Sequence, residues 1–110
     1  WRALQQGEVV VVAGDRPVKG QGSEVESFGR PTVLPDGHIR LALRTHAAAG
    51  TAFCRWEQGR FRVRFEPLEL VRSGDRERDI HDNMQRLTRR LESYIRARPE
   101  QWHLFLQLWD

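Results

Sequence analysis

The sequence has little that could support metal or thiol chemistry. Its only cysteine is Cys54, so the chain forms no internal disulfide and holds no thiolate cluster. Its four histidines lack the spacing of zinc ligands, and we expect no metal site and no bound cofactor. A single cysteine is typical of a reduced, cytoplasmic protein, and we expect Cys54 to be a buried small hydrophobic residue.

Long apolar runs are also missing. No run approaches the roughly 20 residues that span a bilayer, and the printed sequence shows no charged-then-apolar leader. Charged residues make up 30% and hydrophobic residues 39%, which is too apolar for a disordered chain. Its 110 residues suit one small domain. The chain begins at Trp1 without an initiator methionine, and we expect it to be a piece of a longer protein.

Lysine is nearly absent, because Lys19 is the only lysine among 18 basic residues. Guanidinium groups bind phosphate and carboxylate through two-point hydrogen bonding, so lipid headgroups, phosphorylated carriers and nucleic acid are candidate partners. Arginines alternate with apolar residues over Arg60–Glu66, which predicts a buried apolar face and a solvated arginine face. Bases stack on aromatics that lie beside basic groups, so this separation argues against nucleic acid.

Hydrophobic periodicity predicts both strands and helices. Val9–Ala13 is an unbroken, largely β-branched run, typical of a strand covered on both faces. The alternation over Ser23–Phe28 is compatible with a short strand or an extended segment, and a helical pattern begins at His38. Thr51–Trp56 and Arg60–Glu66 flank a glycine turn and predict a β-hairpin.

The clearest helix follows Gly74. Its apolar residues recur at steps of three and four: Ile80, Met84, Leu87, Leu91 and Ile95. Pro99 ends this helix and opens a last short one that carries Trp102 and Trp109. The order of elements predicts the C-terminal half of an α/β sandwich, with a mixed sheet, flanking helices and a C-terminal helical tail.

Two carboxylates, Glu24 and Glu26, project to one side of the alternating stretch Ser23–Phe28. By spacing alone they belong in water, unless basic groups or a ligand face them. The preceding glycine-containing loop carries Asp15, Arg16 and Lys19. These residues form either an anion-binding loop or a surface turn with solvated charges.

Five stretches occur in the order found in one acyltransferase family. They are an Asp-Arg strand end at Ala13–Arg16, a Gly-x-x-Val-x-Phe-Phe-Gly stretch at Gly22–Gly29, a Pro-x-Gly helix start at Pro35–Gly37, a Leu-Ala-x-x-Thr-Gly-Ala helix at Leu41–Ala47 and a Pro-Glu-Gln-Trp stretch at Pro99–Trp102. In this respect the chain resembles the bacterial lysophospholipid acyltransferase-like family. Within that family it is similar to the lipid A late acyltransferases and phosphatidylinositol mannoside acyltransferases.

The sequence departs from the family pattern at three places. Ser27 stands where the family has the first Phe of its Phe-Phe pair, and His46 stands where it has the Gly of Thr-Gly-Ala. Gly50-Thr51 replaces the Val-Pro that opens the family's hairpin strand. These differences lie near the expected site or its packing.

The family's catalytic signature, a histidine followed five positions later by an aspartate, is not in the printed sequence. The residues five positions after the four histidines are Leu43, Thr51, Arg86 and Leu108. The resemblance therefore implies that residues 1–110 are a partial acyltransferase domain, its C-terminal portion, with the signature upstream. It also implies a catalytic glutamate in this half, for which Glu24 is the best match and Glu26 the second.

The resemblance implies an O-acyltransferase that moves a fatty acyl group from a thioester donor to a hydroxyl of a glycolipid or lysophospholipid. The donor would be acyl-CoA or acyl-carrier protein, as co-substrate rather than cofactor. Asp15, Arg16 and Lys19 would be substrate-binding residues, with Arg16 and Lys19 binding the phosphate of the acceptor or of the acyl carrier. We expect peripheral contact with the cytoplasmic face of the inner membrane, no nucleic acid partner, and no activity from these residues alone. The alternatives are a non-enzymatic anion- or lipid-binding module and an inactive truncated copy.

Overall fold

The computed structural model describes residues 2–12 and 22–99 of the chain. Its elements follow in the order α1 (Arg2–Gln5), β1 (Ser23–Ser27), β2 (Arg30–Leu34), α2 (Gly37–Thr45), β3 (Ala49–Glu57), β4 (Arg60–Leu68) and α3 (Arg76–Ala97). β1 pairs with β2 and β3 with β4, both antiparallel, as two separate two-stranded sheets. The predicted α/β class is confirmed.

Both hairpins turn through two residues in the left-handed region. Phe28 and Gly29 have φ values of 50° and 76°, and Gln58 and Gly59 have 51° and 75°. Two left-handed residues define the type I′ turn, whose twist matches that of paired strands. Glycine occupies the second position of each turn because it adopts positive φ without a steric penalty. The glycine turn predicted for β3–β4 is confirmed, and β1–β2 has the same kind of turn.

Helix α3 contributes more buried hydrophobic side chains than any other described element. The Asp75 carboxylate accepts a hydrogen bond from the Arg78 backbone N–H at 3.3 Å and so caps the N-terminus. The predicted apolar stripe faces inward: Ile80, Met84, Leu87 and Ile95 are buried, and Leu91 packs at the edge. The stripe meets buried side chains of the other elements, namely Val25, Leu34, Ile39 and Leu68.

The predicted buried strand at Val9–Ala13 is wrong for residues 9–12, which belong to no helix or strand. Val9 and Val11 are 87% and 88% exposed. A strand that is buried on both faces needs neighbouring strands and a covering layer on each side. The described part of the chain supplies neither to this run. Ala13 and the loop through Gln21 lie outside the described residues.

The predicted burial of the apolar β4 face is also wrong. Phe61 and Phe65 are 69% and 76% exposed, and Cys54 on the same hairpin is exposed as well. Alternation correctly identifies which residues share a face. However, α3 packs on the opposite face, where Tyr94 stacks on Phe53 with ring centroids 4.7 Å apart.

None of the described helices is long and apolar enough to span a lipid bilayer. The helix predicted from His38 is confirmed as α2. It ends at Thr45 and is capped by His46, which has φ 55° and ψ 27°. The helical tail predicted after Pro99 lies outside the described residues.

His46→Gly should raise the free energy of unfolding by about 0.5–1 kcal/mol, because a side chain at positive φ is strained and glycine is not. The matched change His81→Gly, at an exposed position within α3, should lower stability by about 1 kcal/mol. Urea unfolding of the two variants tests this prediction. Destabilisation by His46→Gly would contradict it.

Candidate active site

The two candidate carboxylates lie on β1, opposite its buried face. Val25 and Ser27 of this strand are buried, whereas Glu24 and Glu26 are exposed. Cross-strand pairing sets Glu24 against Val33 of β2. The geometry is as the period of a strand requires: both acidic side chains leave the hairpin on the side away from the core.

Helix α3 closes the free edge of β1 through Gln85. The Gln85 side chain accepts a hydrogen bond from the Glu26 backbone N–H at 3.0 Å and donates one to the Glu26 carbonyl at 2.9 Å. Both backbone groups of Glu26 therefore point away from β2, where its partner is Pro31. Proline has no N–H to donate, so it is tolerated at this position of the ladder.

A buried carboxylate holds the turn that follows β1. Glu92 is 3% exposed, and its Oε1 accepts a hydrogen bond from the Phe28 backbone N–H at 3.0 Å. Arg89 and Arg96 lie 3.4 and 3.7 Å from this carboxylate, and the Arg96 guanidinium sits 5.1 Å from the centre of the Phe28 ring. These contacts offset the strain of Phe28 at positive φ.

Glu24 and Glu26 differ in their ionic partners. The Glu26 carboxylate lies 3.5 Å from the Arg89 guanidinium. Among the described residues, no ion pair engages the Glu24 carboxylate. Of the two, Glu24 is therefore the carboxylate that remains available to a ligand or another side chain.

A hydrogen-bond network of three polar side chains fixes the start of β1. Ser23 Oγ donates a hydrogen bond to the Asp36 carboxylate at 2.5 Å, and Arg40 Nε donates to the same oxygen at 3.0 Å. Burial acts to raise the pKa of Asp36, but the hydrogen bonds from Ser23 and Arg40 outweigh it and lower the pKa below its ordinary value of 3.8. This network links the N-terminus of α2 to Ser23, the residue before Glu24.

The half-buried imidazole of His38 lies near this hydrogen-bond network. Both ring nitrogens are shielded from solvent, and neither has a hydrogen-bond partner among the described residues. Burial lowers the pKa of His38 below its ordinary value of 6.5, and the nearby Asp36 carboxylate acts in the opposite direction. The net effect favours the neutral imidazole.

The arginines of the second hairpin are largely paired with its own acids. Arg55 and Arg62 lie 3.1 and 3.8 Å from the Glu57 carboxylate. Arg64 lies 2.8 Å from that of Glu66. The predicted arginine row is thus partly neutralised, which weighs against a polyanion-binding surface.

Asp15, Arg16 and Lys19, predicted as substrate-binding residues, lie outside the described residues, so their role stays a prediction. The described residues contain no group of three or more His, Cys, Asp or Glu side chains able to hold a metal ion.

Sequence reasoning missed Gln85 and Glu92. Their seven-residue spacing puts both on one face of α3, but polar helix positions are usually solvated, so spacing alone did not single them out.

Comparison with known proteins places the chain in a class of enzymes. The family model for bacterial lipid A biosynthesis acyltransferases matches residues 1–110, which is the whole chain. The chain belongs to this acyltransferase family, as the sequence motifs indicated.

The chain is also similar to individual curated members of the family. The chain is 34% identical over 109 residues to the phosphatidylinositol mannoside acyltransferase of two Mycobacterium tuberculosis strains, covering 96% of this chain and 32% of the relative. It is 27% identical over 106 residues to the protein of that name from Mycolicibacterium smegmatis, covering 96% of this chain and 34% of the relative. The chain therefore spans about a third of the length of these relatives.

Gly22→Ala should strongly destabilise the β1–β2 hairpin. Gly22 has φ +132°, and an added Cβ would overlap the Leu34 carbonyl oxygen and lie 2.6 Å from its carbon. The backbone conformation alone should cost about 1–3 kcal/mol for a non-glycine residue. The matched change Gly37→Ala meets no atom within 4 Å and should be neutral or slightly stabilising. Equal unfolding midpoints in urea would contradict this prediction.

Stability should fall as the pH drops below about 6.5, because the folded state resists protonation of His38 while the unfolded chain accepts the proton. The loss can reach about 1.4 kcal/mol per pH unit. Above that pH both states are neutral at this site and the contribution is constant. Asp36 and Asp79, whose pKa values are lowered from 3.8, lose their contribution only in more acidic solution.

Urea unfolding between pH 8 and pH 5 tests this expectation, and His38→Leu should flatten the pH dependence in the upper part of that window. The same slope in the wild type and in His38→Leu would show that another group controls it.

Proposed function

We propose that these residues form the C-terminal portion of an O-acyltransferase that acts on a glycolipid acceptor. The family match over residues 1–110 carries this proposal. The similarity to phosphatidylinositol mannoside acyltransferases supports a phosphorylated, mannosylated inositol lipid as acceptor. Because the chain spans about a third of those relatives, the proposal concerns the longer protein that contains it.

The proposed reaction is direct acyl transfer. The acceptor hydroxyl oxygen attacks the carbonyl carbon of an acyl thioester, the new C–O bond forms, and the C–S bond breaks. An imidazole base from the part of the protein that these residues do not include takes the hydroxyl proton and returns it to the leaving thiolate. Acyl-CoA and acyl-carrier protein both supply such a thioester.

Glu24 is the residue of this chain that we assign to the active site. A carboxylate near the base stabilises the imidazolium that forms during attack, or accepts a hydrogen bond from the acceptor. Its support is the position on β1, whose backbone is fixed by Gln85 and Glu92 of α3. Side chains on fixed strands hold a reactive geometry better than side chains on loops.

The proposal places substrate phosphate near the loop before β1. Arg16 and Lys19 would bind the phosphate of the acceptor or carrier, and Asp15 would orient them. Enzymes of this kind meet lipid substrates at an anionic surface, so we propose peripheral contact with the cytoplasmic face of the inner membrane.

Glu24→Gln in the full-length protein should lower kcat/KM for acyl transfer to a phosphatidylinositol mannoside by about 10²–10⁴. The glutamine keeps the shape of the side chain but removes its charge. Glu26→Gln is the matched control, since Glu26 is on the same side of the strand but paired with Arg89; it should change the rate by less than tenfold.

Radiolabelled palmitoyl-CoA and thin-layer separation of the lipid product measure this rate, with unchanged unfolding midpoints as the folding control. A larger loss in Glu26→Gln than in Glu24→Gln would move the assignment to Glu26. Full activity in both variants would remove β1 from the active site. A full-length protein without any acyl transfer would contradict the proposed function.

A further inference from the structure

One face of the β3–β4 hairpin is apolar and uncovered by the described residues. Cross-strand register puts its members on one side of the ribbon: Ala52, Cys54, Trp56, Phe61, Val63 and Phe65. We call this set the open face. Every member is exposed, and Trp56 contacts Phe61 edge-to-face at a centroid distance of 4.8 Å. A contiguous apolar patch of this kind marks an interaction surface.

The other face of the hairpin is already occupied. Tyr94 of α3 stacks on Phe53, and Arg90 of α3 donates hydrogen bonds to Thr51 Oγ1 at 3.1 Å and to the Pro67 carbonyl at 2.9 Å. The hairpin is therefore one layer of a sandwich, with a helix on one side and no second layer among the described residues.

The distribution of charge favours protein rather than lipid as the missing layer. No member of the open face is acidic or basic. The hairpin arginines lie on the α3 side, where Arg62 and Arg64 are paired with Glu57 and Glu66. A surface that binds anionic lipid places basic side chains around its apolar residues and leaves them free for phosphate.

The length of the relatives indicates where the missing second layer comes from. They align with 96% of this chain but are about three times as long. Residues 9–12, a run of valines with Val9 and Val11 largely exposed, are a second apolar surface that the described residues leave uncovered. A sheet in an α/β sandwich is covered on both sides.

We propose that the open face is an intramolecular docking surface. Its occupant is an apolar helix face from the part of the full-length protein that these 110 residues do not include. The interface excludes water from one side of β3–β4 and so joins this portion to the rest of the enzyme. This inference is independent of the acyl transfer chemistry, because it concerns packing and not Glu24.

Cys54 is a built-in probe, since it is the only cysteine of the chain and lies on the open face. The experiment labels the full-length protein with a maleimide in the folded state and in urea. Mass spectrometry of the tryptic peptide 45–55 then measures the rate at Cys54. Folding should slow labelling about tenfold or more in the absence of lipid, whereas Cys54 in the 110-residue chain should stay reactive.

The matched control is Arg62→Cys in a Cys54→Ser background, which puts the thiol on the opposite face, at a position whose side chain is 55% exposed although α3 packs on that face. It should react much faster than Cys54 in the folded full-length protein. Equal protection at both positions would show general shielding of the hairpin and would overturn the assignment of this face.

A second measurement distinguishes a protein partner of the open face from a lipid partner. Vesicles of phosphatidylcholine with phosphatidylglycerol are added to the 110-residue chain and, separately, to the full-length protein. We expect no protection of Cys54 by vesicles in the 110-residue chain. Protection by vesicles, together with a reactive Cys54 in the full-length protein, would assign the open face to the membrane and overturn the proposal.

Discussion

The described structure depends on hydrogen bonds between α3 side chains and the backbone of β1, at the edge of β1 that pairs with no other strand among the described residues. The Gln85 side-chain amide carries one donor and one acceptor, and it binds the N–H and C=O of Glu26 as a neighbouring strand would. Glu92, two turns further along the helix, binds the Phe28 N–H. An isolated two-stranded hairpin is marginally stable in water. These side-chain bonds and the buried Val25 give β1 a fixed position.

The same helix organises the other side of the molecule through polar groups. Asn83 exchanges two hydrogen bonds with the Val71 backbone, at 2.7 and 2.9 Å, and Asp79 accepts bonds from the Ser73 hydroxyl and N–H. Buried polar side chains must find partners, and here the partners are the backbone of the segment that leads into α3. The helix thus uses its apolar stripe for packing and its flanking polar residues for register.

Sequence patterns predicted the elements well where the signal is local. The apolar spacing of α3 and the glycine turn of β3–β4 are contained within a few residues, and the structure confirms both. The valines at 9–12 and the apolar face of β4 were misread, because alternation says which residues share a face but not whether anything covers it. Coverage depends on distant parts of the chain, which short-range patterns do not report.

The candidate site shows the same division between local and distant information. Spacing was enough to put Glu24 and Glu26 on one side of a strand, but it gave no reason to separate them. The separation comes from Arg89, which is distant in sequence and pairs with Glu26. A carboxylate whose charge is already matched by a guanidinium has less effect on a nearby imidazolium than an unmatched one. Among the described residues the Glu24 carboxylate has no ionic partner, and α3 holds the backbone of its strand. These are the two properties that the role proposed for Glu24 requires.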